Sequence, residues 1–134
     1  MAHIVKYSEA GYIGLHGIII IAQQKGKSMS VDEVAKRLFS SKHHVAKVFQ
    51  TMVKAGYLQS TRGPSGGFVM GKDPRDVSFL EIYELIEGNV RPGICPLDKE
   101  LCPFDRKCIF NNVTRHLTEE FIRYMSQEKI SNYL

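Results

Sequence analysis

The sequence has no apolar run longer than the six residues 17–22, GIIIIA. A membrane-spanning helix needs about 20 apolar residues, so the chain is expected to stay out of the bilayer. Its first residues, MAHIVKYSEAGY, lack the basic region, apolar stretch and small-residue cleavage site of a secretion signal. A cytoplasmic protein is therefore expected, in a compartment where thiols stay reduced and stable disulfides are rare. Also missing are a nucleophile–base pair, a catalytic carboxylate pair and a glycine-rich loop between a strand and a helix. An enzyme is not expected. Neither internal repeats nor low-complexity segments are present. Cysteine is scarce: there are three, and all lie between positions 95 and 108.

Acidic residues are missing from one long stretch. From Val34 to Lys72 there are seven basic residues (Lys36, Arg37, Lys42, Lys47, Lys54, Arg62 and Lys72) and no acid, although the net charge of the whole chain is only +4. A basic block beside mixed-charge flanks suggests one surface that meets a polyanion; the plain alternative is a solvated face. With 43% hydrophobic and 24% charged residues in 134, the chain fits a folded domain with a modest core.

The local patterns place this block on recognisable elements. Residues 9–24 read as a helix through Tyr12, Leu15, Ile19 and Ala22, although four consecutive isoleucines would also suit a strand. Ser30 and Glu33 form a capping box ahead of Val34, Ala35 and Leu38. Ser40 and Ser41 are a second capping pair. Behind them Val45, Val48, Phe49, Met52 and Val53 make one apolar stripe on a helix that ends at Gly56.

Two helices with a short serine turn between them read as a helix-turn-helix. The second helix starts with Ser41 and Lys42 and turns His43, His44, Lys47, Gln50 and Lys54 outward, donors suited to phosphates and base edges. In YLQSTRGPSGGFVMG, residues 57–71, two alternating runs flank a glycine-rich tip. This predicts a hairpin wing that presents Arg62, Gly63 and Ser65, with Arg62 able to enter a narrow minor groove.

Ser78 and Glu81 open a further helix that stops at Gly88. A last helix is expected over about 109–131, with Phe110, Val113, Leu117, Phe121 and Met125 on one apolar face that needs a partner, most simply a second copy of the chain. The predicted fold is mainly α with a small β-hairpin wing. It is a winged helix-turn-helix over 1–88, a cysteine-rich loop over 89–108 and a long C-terminal dimerisation helix over 109–134.

The segments YSEAGYIGLHGI, VDEVAKRLFSSKHHVAKVFQTMVKAGYLQSTRGPSGG and FLEIYELIEG, with the three-cysteine loop, resemble the bacterial IscR/NsrR-type winged-helix regulators of the Rrf2 family. The resemblance covers nearly the whole chain, and KAGYLQSTRGPSGGF is its most specific part. It implies a cytoplasmic homodimer that crosses its terminal helices and binds a palindromic operator in double-stranded DNA. In many members an iron–sulfur cluster controls that binding; in others a protein partner does.

Cys95, Cys102 and Cys108 can converge on one centre if the loop curls, and Pro96 and Pro103 favour turn or extended geometry beside two of them. Thiolates suit iron–sulfur clusters or zinc. Zinc with His116, a thiol–disulfide switch and plain unligated thiols stay open, and the resemblance favours a cluster, 2Fe-2S over 4Fe-4S. A four-ligand site is one cysteine short. Family members with a histidine three residues past the last cysteine find Asn111 here. The resemblance points instead to the first helix, where His16 is the candidate fourth ligand, with Glu9 or Tyr12 as substitutes. Those three positions share a helix face. A core histidine is the plain alternative for His16. The expected function is a regulator whose cluster senses redox state, iron or nitric oxide. The alternative is a cluster-free winged-helix repressor controlled by a protein partner or by cysteine oxidation.

Overall fold

The structure is a computed structural model that describes residues 7–91, 102–104 and 108–134. Helices α1 (Glu9–Gln23), α2 (Val31–Leu38) and α3 (Lys42–Lys54) precede strands β1 (Leu58–Thr61) and β2 (Gly67–Met70). Helices α4 (Phe79–Glu87) and α5 (Val113–Gln127) follow, and short 3₁₀ turns occupy Pro74–Asp76 and Ile130–Tyr133. The fold is mainly helical with a two-stranded wing, as the local patterns predict.

Serines begin four of the helices. Ser8, Ser30, Ser41 and Ser78 each accept a hydrogen bond from a backbone N–H three residues on, which satisfies a donor that the first helical turn would otherwise leave open. At Ser78 both arms of the capping box form, because Glu81 Oε2 also accepts from the Ser78 N–H at 2.7 Å. The predicted stops hold as well: Gly56 and Gly88 have φ of +87° and +97°, a region open to glycine at little cost.

The isoleucine run is helical because α1 is the hub of the molecule. It packs on α4, α3, α2, β2 and the terminal 3₁₀ turn, so apolar residues are needed on most of its sides. Of the four residues expected to mark it, Leu15 and Ala22 are buried together with Ile13, Gly14, Gly17, Ile18 and Ile21, whereas Tyr12 is exposed and Ile19 only half-buried. Gly11, Gly14 and Gly17 let α4 and Phe49 of α3 come close.

The wing pairs Leu58 with Met70, Gln59 with Val69, Ser60 with Phe68 and Thr61 with Gly67. Met29, just before α2, adds a bridge to Phe68. The Phe68 ring meets Phe49 edge-on at 5.1 Å, which ties the wing to the middle of α3.

The chain's end departs from expectation. α5 stops at Gln127, and the tail then folds back. Ile130 N–H bonds the Val77 carbonyl at 3.0 Å, Phe79 N–H bonds the Glu128 carbonyl at 2.9 Å, and Tyr133 stacks on Phe79 at 5.5 Å. Ile130 is fully buried in the core shared with α1–α4. Two members of the expected dimer stripe are likewise used within the chain. Met125 is buried, and Phe121 packs against Tyr83 at 5.0 Å. Phe110, Val113 and Leu117 remain about half exposed.

Candidate nucleic-acid interface and cysteine loop

α3 separates its two chemistries by helical period. Val45, Val48, Phe49 and Met52 are buried, whereas Lys42, His43, Lys47, Gln50 and Lys54 are exposed. Ser41 caps the helix through the His44 N–H at 3.1 Å. Lys42 reaches back to Asp32 at 3.1 Å, but both side chains are mostly exposed, so the pair is weak and Lys42 can be drawn to another anion. His44 differs from its neighbours. It is half-buried, and its Nδ1 lies 3.5 Å from Glu9 Oε2 of α1. It therefore faces the first helix, not the open side with His43.

The wing tip presents Arg62, Gly63, Pro64 and Ser65 to solvent. Its shape is fixed locally. Gly63 has φ +105°, its carbonyl accepts from Gly66 N–H at 2.9 Å, and Thr61 Oγ1 accepts from Gly67 N–H at 3.0 Å. The Ser28 hydroxyl donates to the Ser65 carbonyl at 2.5 Å. At the wing's base Tyr57 donates to Glu81 at 3.3 Å, and Lys72 sits over the Tyr57 ring at 4.1 Å. Burial works against the charged Glu81, but hydrogen bonds from the Ser78 backbone, the Ser78 hydroxyl and Tyr57 outweigh it and hold the carboxyl below its usual range. Burial, with Glu81 beside it, pushes the Tyr57 phenol up.

One residue beside this face was not singled out from the sequence. Phe39, in the turn between α2 and α3, is 97% exposed and left-handed at φ 52°, ψ 37°. A side chain there costs about 1–2 kcal/mol. An apolar residue straight after Leu38 gives a sequence reading no sign of exposure.

The cysteine loop joins α4 to α5. Cys102 is exposed, with its Sγ 3.8 Å from the Phe104 carbonyl, and Cys108 is half-buried. Cys95 lies outside the described residues. His16 is exposed, so it is not a core histidine. Its ring lies 4.2 Å from that of Tyr12, and its Nδ1 is 2.8 Å from the Tyr12 carbonyl oxygen. An oxygen there can only accept, so Nδ1 is the donor of that bond. Glu9, Tyr12 and His16 are all exposed on α1, and His116 is exposed on α5. Among the described residues no three His, Cys, Asp or Glu side chains come together as a metal site. No described helix is long and apolar enough to cross a membrane.

A helix-turn-helix followed by a packed wing, with an acid-free polar face on its second helix, defines a winged helix-turn-helix protein. The chain belongs to the Rrf2 family, described as an iron-dependent transcriptional regulator, whose profile matches residues 7–133. The chain is thus a transcriptional regulator of the DNA-binding helix-turn-helix type.

Among known relatives it is similar to the regulator NsrR of Bacillus subtilis, 27% identical over 110 residues, which are 81% of this chain and 73% of that one. The matched stretch spans 46–56% of the length of several other curated relatives. The solved structure of CymR, the global cysteine regulator of B. subtilis, superposes with a TM-score of 0.79 at 22% identity, covering 96% of this chain and 95% of that one. The IscR of T. potens superposes with a TM-score of 0.73 at 21% identity, covering 96% and 85%. At these identities the two structures support the fold alone.

Proposed function

We propose that two copies of this chain bind a palindromic operator in double-stranded DNA, and that an iron–sulfur cluster on the cysteine loop governs that binding. The DNA part rests on the α3 face and wing. Lys47 and Lys54 would meet phosphates, His43 and Gln50 base edges, and Arg62 a minor groove, with Ser41, Lys42, Gly63 and Ser65 beside the backbone. His44 would act at the margin, through its pairing with Glu9.

The cluster part rests on one observation: His16 ties its Nδ1 to a carbonyl of its own helix on an exposed face, which leaves Nε2 as the ring nitrogen able to bind. Histidine ligands commonly have their second ring nitrogen tied to a carbonyl in this way. Cys95, Cys102 and Cys108 of one subunit would hold the cluster, with His16 of the other, or Glu9 or Tyr12 in its place. The exposed, soft Cys102 thiol fits that donor set. When bound, the group supplies a redox centre, and 2Fe-2S fits a mixed thiolate–imidazole shell. The α4 exit into the loop is held near α1, because the Ser8 hydroxyl bonds Glu87 and Ser8 caps α1. Glu9 then carries α1 to His44 on the recognition helix. A shift of α1 would therefore be felt at α3.

The same exposed Cys102 favours a second reading, a cluster-free repressor switched by thiol oxidation or by a protein partner. Purification without oxygen separates the two. A coloured protein with iron and sulfide in stoichiometric amount supports the cluster, and a colourless one refutes it. His16→Ala should then bleach or shift the absorbance and alter the midpoint potential while dimerisation persists. An unchanged spectrum and potential would remove His16 from the ligand set.

A further inference from the structure

Phe39 combines two costs with no gain among the described residues. Its side chain is 97% exposed, so its ring contributes almost no packing. Its backbone is left-handed, a conformation that asparagine or glycine would occupy with less strain. A strained position held by an exposed large apolar residue points to work done outside the fold. The surroundings say where. Phe39 lies three residues before Lys42 and two before Ser41, the cap of the recognition helix, and lines an open groove of about 580 Å3 with Lys36, Ser40 and Lys42. Two acids, Asp32 and Glu33, lie on the same groove; Asp32 makes the weak, exposed pair with Lys42. The patch shares Lys42 with the face assigned above to DNA, and its rim carries Lys36 and Lys42, both exposed.

We propose that Phe39 is a further DNA contact, an apolar wedge from the turn that lies against the deoxyribose edge or a thymine methyl beside the groove entered by α3. This rests on the DNA-binding reading and adds to it a contact without charge. Double-stranded DNA offers apolar surface only at its sugars, methyl groups and base faces, and a phenylalanine flanked by lysines can reach it while they hold the phosphates. Such a contact releases no counterion, so it adds affinity without adding salt dependence.

The test uses duplexes that the wild-type protein selects from a random-sequence pool. Binding is followed by anisotropy over a range of salt, beside thermal melts of each variant. Phe39→Asn and Phe39→Gly should bind about fivefold or more weakly, with an unchanged slope of log K against log salt and a melting temperature equal to or above wild type. Phe39→Tyr should keep most of the affinity. Wild-type affinity in the Asn and Gly variants would overturn the proposal and assign the ring to a protein contact. A loss of binding that follows a loss of stability would overturn it too, by making the ring structural. If wild-type protein selects no duplex at all, the DNA-binding reading itself fails.

Discussion

Replacing Gly17 by alanine should lower stability, whereas the same change at Gly14 should not, although the Gly14 site is the tighter one by distance. Both residues lie inside α1, where glycine costs about 0.5–1 kcal/mol relative to alanine, so helix propensity alone favours both substitutions. At Gly17 a methyl group would sit 2.5 Å from Phe49 Cε1 and 2.8 Å from its Cζ. That ring is fully buried and has Phe68 edge-on at 5.1 Å, so it cannot retreat without moving the wing. Overpacking of this kind costs about 1–3 kcal/mol, which set against the helix gain of about 0.5–1 kcal/mol leaves a net loss of up to about 2.5 kcal/mol.

At Gly14 the methyl would sit 2.0 Å from Ile86 Cδ1, the tip of a half-buried side chain. A groove of about 250 Å3, lined by Ala10, Leu85 and Ile86 itself, gives that tip somewhere to go. A rotamer change costs about 0.5–1.5 kcal/mol, close to the helix gain, so Gly14→Ala should be near neutral. In thermal melts at one fixed protein concentration, Gly17→Ala should lose up to about 10 °C and Gly14→Ala should stay close to wild type. Operator affinity of Gly17→Ala should fall as well, because Phe49 sets α3 against the wing. A Gly17→Ala protein that melts at or above wild type would refute the reasoning, as would equal losses at the two sites.

Arg62→Ala should cost about 1–3 kcal/mol of specific binding if it reads a groove, whereas Lys47→Ala should weaken binding to all sequences alike and reduce the salt slope by about one; anisotropy titrations on cognate and scrambled duplexes tell them apart. Leu117 is 46% exposed on α5, so Leu117→Asp should yield a folded monomer by light scattering, whereas Met125→Asp, which buries a charge in the core, should unfold the chain. The Glu81 carboxyl is held below its usual range in the folded state. It therefore adds stability above its unfolded pKa, and that stability is lost as pH falls through the folded value. Glu81→Gln should lower stability at neutral pH and flatten its decline in acid, as followed by urea unfolding at several pH values; an unchanged acid limb would exclude Glu81 as a contributor.

The features already legible in the sequence are those that local physics decides. The serine caps at Ser30, Ser41 and Ser78, two glycine stops, the α3 stripe and the glycine-rich wing tip each depend on a few neighbouring residues. Together they are enough to show the helix-turn-helix, its wing and the acid-free outer face of α3, and the resemblance of the motifs points to the family. Tertiary structure decided which surfaces meet. It made the isoleucine run a helix by surrounding α1 with five elements, and it exposed Tyr12 and His16 on the side left over. It folded the last residues back so that Met125 and Ile130 fill the core, and it turned His44 towards Glu9 while leaving Phe39 in solvent. Periodicity reveals that a helix has an apolar face but not what covers it, since that depends on residues far away in the chain. Val113 and Met125 share one stripe in the sequence, yet only Met125 of the two lies over the chain's own core.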